Sequence, residues 1–125
     1  MMLLGAGIDI VEVERIKDIV ESRGDRFAEK ILNDIELKEL TGVSNSIAFI
    51  AKRFAVKEAA AKALGIGIGK QLSFTDMYVE HDELGKPLLR FTQECIERLN
   101  LKDKHSLLTI ADERAYAVAH VLFFY

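Results

Sequence analysis

The chain is 125 residues long, 50% hydrophobic and 30% charged, with a formal net charge of −3. This composition excludes a disordered chain and buries a core within one domain spanning residues 1–125. A mildly acidic balance without a basic tail gives no electrostatic reason to bind nucleic acid, and no such partner is expected.

Residues Leu3 to Val11 are apolar, β-branched and glycine-bearing, which predicts a buried strand whose glycines permit close backbone approach. Asp9 is the one charge inside that run. A helix over Glu12 to Ser22 follows, with Val13, Ile16, Ile19 and Val20 at helical spacing and charges on the other face. Arg23-Gly24-Asp25 breaks it. A short helix is expected over Arg26 to Leu32, and Asn33-Asp34 can cap a third that begins near Ile35. The longest helix is expected from Ser46 to Leu64, rich in alanine and ended by Gly65.

Beyond the Gly65-Ile66-Gly67-Ile68-Gly69 turn, Phe74 to His81 alternates as a strand. Asp82 to Pro87 reads as a hairpin loop, with Leu88 to Phe91 returning as the partner strand. Thr92 to Leu99 predicts a short amphipathic helix that turns Cys95 inward. The chain then closes on a hairpin of Ser106 to Ile110 and Tyr116 to Phe124. Both alternating sets of that last strand are largely apolar, so part of its surface is expected at a subunit interface. The predicted fold is therefore α+β: an antiparallel sheet packed against one long helix.

Cys95 is the only cysteine, which rules out an internal disulfide. The opening residues lack the basic start and long apolar stretch of a signal peptide, and later apolar runs are cut short by charges, so a cytoplasmic protein without a membrane partner is expected. His81, His105 and His120 show no paired zinc spacing. No serine, nor Cys95, is placed by a motif beside a base.

Two carboxylates carry the candidate chemistry. Asp9, in its apolar strand, is either a cap for the following helix or a metal ligand, because a buried carboxylate is costly unless neutralised. Mg²⁺ suits it, taking one or two carboxylates together with substrate phosphate. Glu58 either forms an i,i+4 pair with Lys62 or holds the same ion. Arg53, Lys57 and Lys62 lie around the same helix, where cations can neutralise phosphate. The glycine-rich run follows a helix instead of preceding one, so it matches neither a P-loop nor a dinucleotide fingerprint. Gly85-Lys86-Pro87 reads equally as a plain hairpin turn or a ligand contact.

Four segments in order resemble one family: Gly-Ile-Asp-Ile-Val-Glu-Val-Glu-Arg-Ile (7–16), Lys-Arg-Phe-Ala-Val-Lys-Glu-Ala-Ala-Ala-Lys-Ala-Leu-Gly (52–65), Gly-Lys-Pro (85–87) and Leu-Thr-Ile-Ala-Asp-Glu-Arg-Ala-Tyr-Ala-Val-Ala (108–119). Together they are similar to the 4′-phosphopantetheinyl transferase superfamily, in its small bacterial holo-[acyl-carrier-protein] synthase branch. The resemblance implies Mg²⁺-dependent transfer of 4′-phosphopantetheine from coenzyme A to a serine of apo acyl carrier protein, in support of fatty acid biosynthesis. It implies Asp9 and Glu58 as metal ligands, with Glu58 and Lys62 as catalytic residues. It further implies Arg53, Gly65, Lys86 and Pro87 as contacts to the nucleotide part of coenzyme A, and Arg15 as a contact to the acidic carrier. A homotrimer with active sites between subunits is also implied. Where many relatives have Ser-Ile-Ser-His, this chain has Thr109-Ile110-Ala111-Asp112, so no histidine role passes to Asp112. The competing expectation is a coenzyme A- or nucleotide-binding trimer without transfer activity.

Overall fold

A computed structural model describes all residues, 1–125. Five strands and five helices follow one another as β1 (Leu3–Glu12), α1 (Val13–Arg23), α2 (Asp25–Ile31), α3 (Asp34–Leu40), α4 (Ser46–Leu64), β2 (Met77–His81), β3 (Pro87–Phe91), α5 (Gln93–Arg98), β4 (His105–Asp112) and β5 (Tyr116–Phe124). The fold is α+β, and its sheets are antiparallel throughout. One sheet has three strands in the order β1-β5-β4; β2 and β3 form a separate two-stranded hairpin.

Pairing register decides which side chains meet α4. Asp9 lies opposite Ala119 and Val11 opposite Ala117, while Ile110 lies opposite Ala119 and Leu108 opposite Val121. Side chains alternate along a strand, so Gly5, Gly7, Asp9 and Val11 share the inner face with Ala117, Ala119, Val121 and Phe123. The last four are buried, and α4 covers them. Contact with the helix is unusually close at Gly5 and Gly7. A Cβ on Gly5 would fall on the Ala63 carbonyl oxygen, and one on Gly7 on the Ala59 carbonyl oxygen, so only glycine lets strand and helix meet here.

Local sequence explains the ends of the helices. The side chain of Asn45 accepts from Ala48 N at 3.0 Å at the start of α4, and Gly65, with φ 75°, closes the other end in the left-handed region. Asn33 and Glu36 form a reciprocal capping box on α3. Gly24, with φ 62°, sharply turns α1 into α2. One expectation is corrected: Phe74–Asp76 forms a 3₁₀ turn and the strand starts only at Met77. Asp76 Oδ2 accepts from Ser73 N at 2.9 Å, which satisfies that amide locally in place of a ladder bond.

The outer face of the three-stranded sheet has no cover within the chain. Ile8 and Ile10 remain 60% and 61% exposed, and Leu107 45%. No helix is long and apolar enough to cross a membrane.

Candidate active site

The inner face of β1 carries a carboxylate where the glycine notch gives out. Asp9 continues the row begun by Gly5 and Gly7, and its side chain is only 15% exposed. Lys62 reaches it from α4, with Nζ 3.1 Å from Asp9 Oδ1 and 2.9 Å from the Ile8 carbonyl oxygen. Asp9 Oδ2 is buried and accepts no hydrogen bond. Such an atom carries a desolvation cost that a further cation or donor removes.

Glu58 lies one turn before Lys62 on the same helix and is half-buried. Its carboxyl is pushed above the usual range, first by burial and then by the Asp9 charge, while Lys62 and Arg15 pull it down. The two carboxylates therefore stand close enough to repel. Neither of the purely structural alternatives offered by the sequence describes this site. Asp9 does not cap α1, since Glu12 occupies that position without a side-chain bond, and Lys62 bonds Asp9 in place of Glu58. One oxygen without a donor beside a second carboxylate fits a hard divalent cation, with Asp9 and Glu58 as its protein ligands.

The expected cluster of three cations at this site is corrected to one. Lys57 is wholly buried and donates to Glu36 Oε1 and to the Ile31 carbonyl. Arg53 is 3% exposed. Its Nε lies 3.3 Å from Glu36 Oε2 outside hydrogen-bond geometry, its Nη2 is 3.5 Å from Glu39 Oε2, and its guanidinium stacks over Phe49 at 4.4 Å. Burial lowers both cations below their ordinary values, with Glu36 acting against it. The physical reason is pairing: charges on the covered sides of α4 survive only beside an opposite charge. Within the chain Arg53 thus faces Glu36 and Glu39.

Comparison with known proteins fixes the family. The sequence model of the 4′-phosphopantetheinyl transferase superfamily matches residues 5–120. The chain belongs to that superfamily. This transferase is 46% identical over 123 residues to the holo-[acyl-carrier-protein] synthase of Shewanella baltica, across 98% of this chain and 97% of that protein. Its backbone is similar to the crystal structure of the Neisseria meningitidis holo-[acyl-carrier-protein] synthase, with a TM-score of 0.94 at 35% identity, covering 99% of this chain and 100% of that one. It is also similar to the Bacillus anthracis enzyme solved in complex with coenzyme A (3′,5′-ADP), with a TM-score of 0.83 at 38% identity over 98% and 97% of the two chains.

The remaining expected positions of the transferase lie elsewhere in the chain. Gly65 caps α4 less than a turn beyond Lys62. Lys86 ends the β2–β3 turn and Pro87 opens β3; in the turn Asp82 Oδ1 accepts from both Leu84 N and Lys86 N at 2.9 Å. Lys86 and Pro87 open onto a cleft of about 780 Å³ between β3, α5 and the start of β4, and no bond joins them to Asp9 or Glu58. Arg15 is exposed on α1, near enough for Glu58 to feel its charge. Sequence reading passed over a second basic group: Arg23, Arg26 and Lys30 line a hollow with Ser22 and Phe27 where α1 turns into α2. The signal was the Arg-Gly-Asp-Arg break itself, since a sharp turn brings the residues on either side of it together.

Proposed function

We propose that this transferase moves 4′-phosphopantetheine from coenzyme A to a serine of apo acyl carrier protein, releases adenosine 3′,5′-bisphosphate, and serves fatty acid biosynthesis in the cytoplasm. The reading is carried by one observation: Asp9, with an unpartnered buried oxygen, stands beside Glu58 and Lys62. Similarity to enzymes of that name along nearly the whole chain supports it.

In the reaction the serine oxygen forms a bond to the phosphorus that bears pantetheine, and the bond from that phosphorus to the nucleotide phosphate breaks. Asp9 and Glu58 would hold Mg²⁺, which would supply Lewis acidity and offset charge on the diphosphate. Lys62, its ammonium fixed by the Ile8 carbonyl and Asp9, holds a positive charge beside the oxygen that leaves. The serine proton is assigned to Glu58, directly or through a water. Holding the serine in line supplies much of the remaining acceleration.

Gly65, Lys86 and Pro87 are assigned to the nucleotide part of coenzyme A. Within one chain Lys86 and Pro87 stand apart from the carboxylates, which agrees with a site shared between subunits. The bare apolar face of Ile8, Ile10 and Leu107 is assigned to the contact between copies in a homotrimer. Arg15 receives the acidic carrier, and Arg23, Arg26 and Lys30 add a second basic group at the α1–α2 turn.

The test is to incubate the protein with coenzyme A, Mg²⁺ and apo carrier protein and weigh the carrier by mass spectrometry. A gain of one phosphopantetheine, lost in excess chelator, is expected. Bound coenzyme A without any gain in mass replaces this reading with that of a binding protein.

A further inference from the structure

We propose that Glu36 is a positioning residue for the site: it fixes the rotation of α4 about its own axis, and so the direction in which Glu58 and Lys62 point. The need for such a device lies in the helix itself. Its buried residues occur on every side, Phe49, Ala51, Val56, Ala59, Ala61 and Ala63 among them, so no single apolar stripe tells it which way to face. Alanine side chains also give neighbours little to interlock with.

Two contacts lift that ambiguity. On one side the notch at Gly5 and Gly7 seats Ala63 and Ala59. On the other stands Glu36, itself fully buried. Its Oε1 takes the Lys57 ammonium and, at 3.3 Å, the Asn33 amide; its Oε2 accepts from Val79 N at 3.1 Å and faces Arg53 Nε at 3.3 Å. Lys57 also donates to the Ile31 carbonyl. One carboxylate thereby ties α4 to the α2–α3 junction and to β2.

Arg53 and Lys57 are one turn apart on one side of α4, and Glu58 is the next residue, about 100° further round. Any rotation that carries Lys57 off Glu36 carries Glu58 off Asp9 by the same angle. Directional bonds in a dry interior define such an angle better than smooth apolar packing does. A buried ion pair is weak as a source of stability, and setting one arrangement over its neighbours is its best-attested use.

The inference rests on the assignment of Asp9 and Glu58 to a cation. Its test compares wild type, the Glu36→Leu/Lys57→Met double variant and Glu36→Gln. Each is titrated with Mn²⁺ in the presence of coenzyme A by paramagnetic resonance and melted thermally, and kcat and KM are measured for the carrier. The double variant removes both charges together and leaves Arg53 with Glu39, but it orphans the Val79 amide and the Ile31 carbonyl, so it is expected to melt below wild type while remaining folded. It is nonetheless expected to bind Mn²⁺ about tenfold more weakly or worse and to lose kcat about a hundredfold with little change in carrier KM, the scale of effect that a 1 Å misplacement produces. A folded double variant with wild-type Mn²⁺ affinity overturns the proposal. If the double variant does not fold, Glu36→Gln decides: Mn²⁺ binding weakened several-fold supports positioning, and unchanged binding with a lowered melting temperature shows a purely structural role and overturns it. Wild type that binds no Mn²⁺ beside coenzyme A overturns the cation assignment first, and this proposal with it.

Discussion

Lys62 Nζ and Asp9 Oδ1 lie 3.1 Å apart although 53 positions separate them in the chain. The bond spans the one seam where strand and helix backbones touch, with the Ile8 carbonyl as a second anchor at 2.9 Å. It occupies one oxygen of Asp9 and leaves the other buried without a donor. The reactive geometry thus depends on how closely β1 and α4 approach, which glycines determine.

Asp9→Asn and Glu58→Gln are expected to lower transfer by at least about a hundredfold while keeping the fold, because each removes a ligand charge at nearly constant shape. Stability gives an independent check on Glu58. Its carboxyl is raised in the folded state, chiefly by burial, so the protonated form favours folding. That contribution is fully present in acid, below the ordinary carboxylate range, and is lost as pH rises through the raised value. In metal-free protein at neutral pH, Glu58→Gln is therefore expected to melt at or above wild type, and the difference is expected to vanish in acid. A variant clearly less stable at neutral pH contradicts this account.

Lys62→Met separates catalysis from stability. The lysine side chain is 54% exposed, and surface pairs of this kind contribute about 0–1 kcal/mol, so melting is expected to change little. Loss of a fixed charge beside the leaving oxygen is expected to cost about 10²–10³ in kcat. Initial-rate kinetics set beside calorimetry measure both. A large fall in melting temperature with retained kcat reverses the assignment.

Gly7→Ala is expected to destabilise the protein by about 1–3 kcal/mol and to depress transfer, since the new methyl meets the Ala59 carbonyl and must force α4 outward. Gly69→Ala is the control: a Cβ there meets nothing within 4 Å, and its φ is not positive. Chemical denaturation should leave that variant close to wild type. Equal effects at the two glycines contradict a close-approach role for Gly7.

Much of this architecture was legible. The alanine-rich run from Ser46 to Leu64 is ended by its own stop signal at Gly65, and a lone aspartate in an apolar strand asks for a partner. The partition of the α4 cations was not legible. Arg53, Lys57 and Lys62 look alike along the sequence, and only Glu36, contributed by another helix, decides that the first two are buried while the third is left to Asp9. The 3₁₀ turn at Phe74–Asp76 was hidden for a similar reason, since alternation alone does not reveal that Asp76 satisfies the Ser73 amide. A turn joining two charged helix ends likewise conceals how Arg23, Arg26 and Lys30 gather.

Ile10→Glu tests the outer sheet face. The side chain is 61% exposed within one chain, so the substitution is expected to leave the subunit folded while placing a charge in an apolar contact between copies. Sedimentation is expected to show trimers for wild type and monomers for the variant, with transfer lost alongside assembly. Monomeric wild type, or a monomeric variant with full activity, contradicts a shared site.

The most direct measurement is an anomalous-difference map from crystals grown with Mn²⁺ and coenzyme A. The account predicts one strong peak between the Asp9 and Glu58 carboxylates, against the diphosphate, and none there in Asp9→Asn crystals. Density for the diphosphate without a peak between those two side chains, or a peak held by other residues, contradicts it.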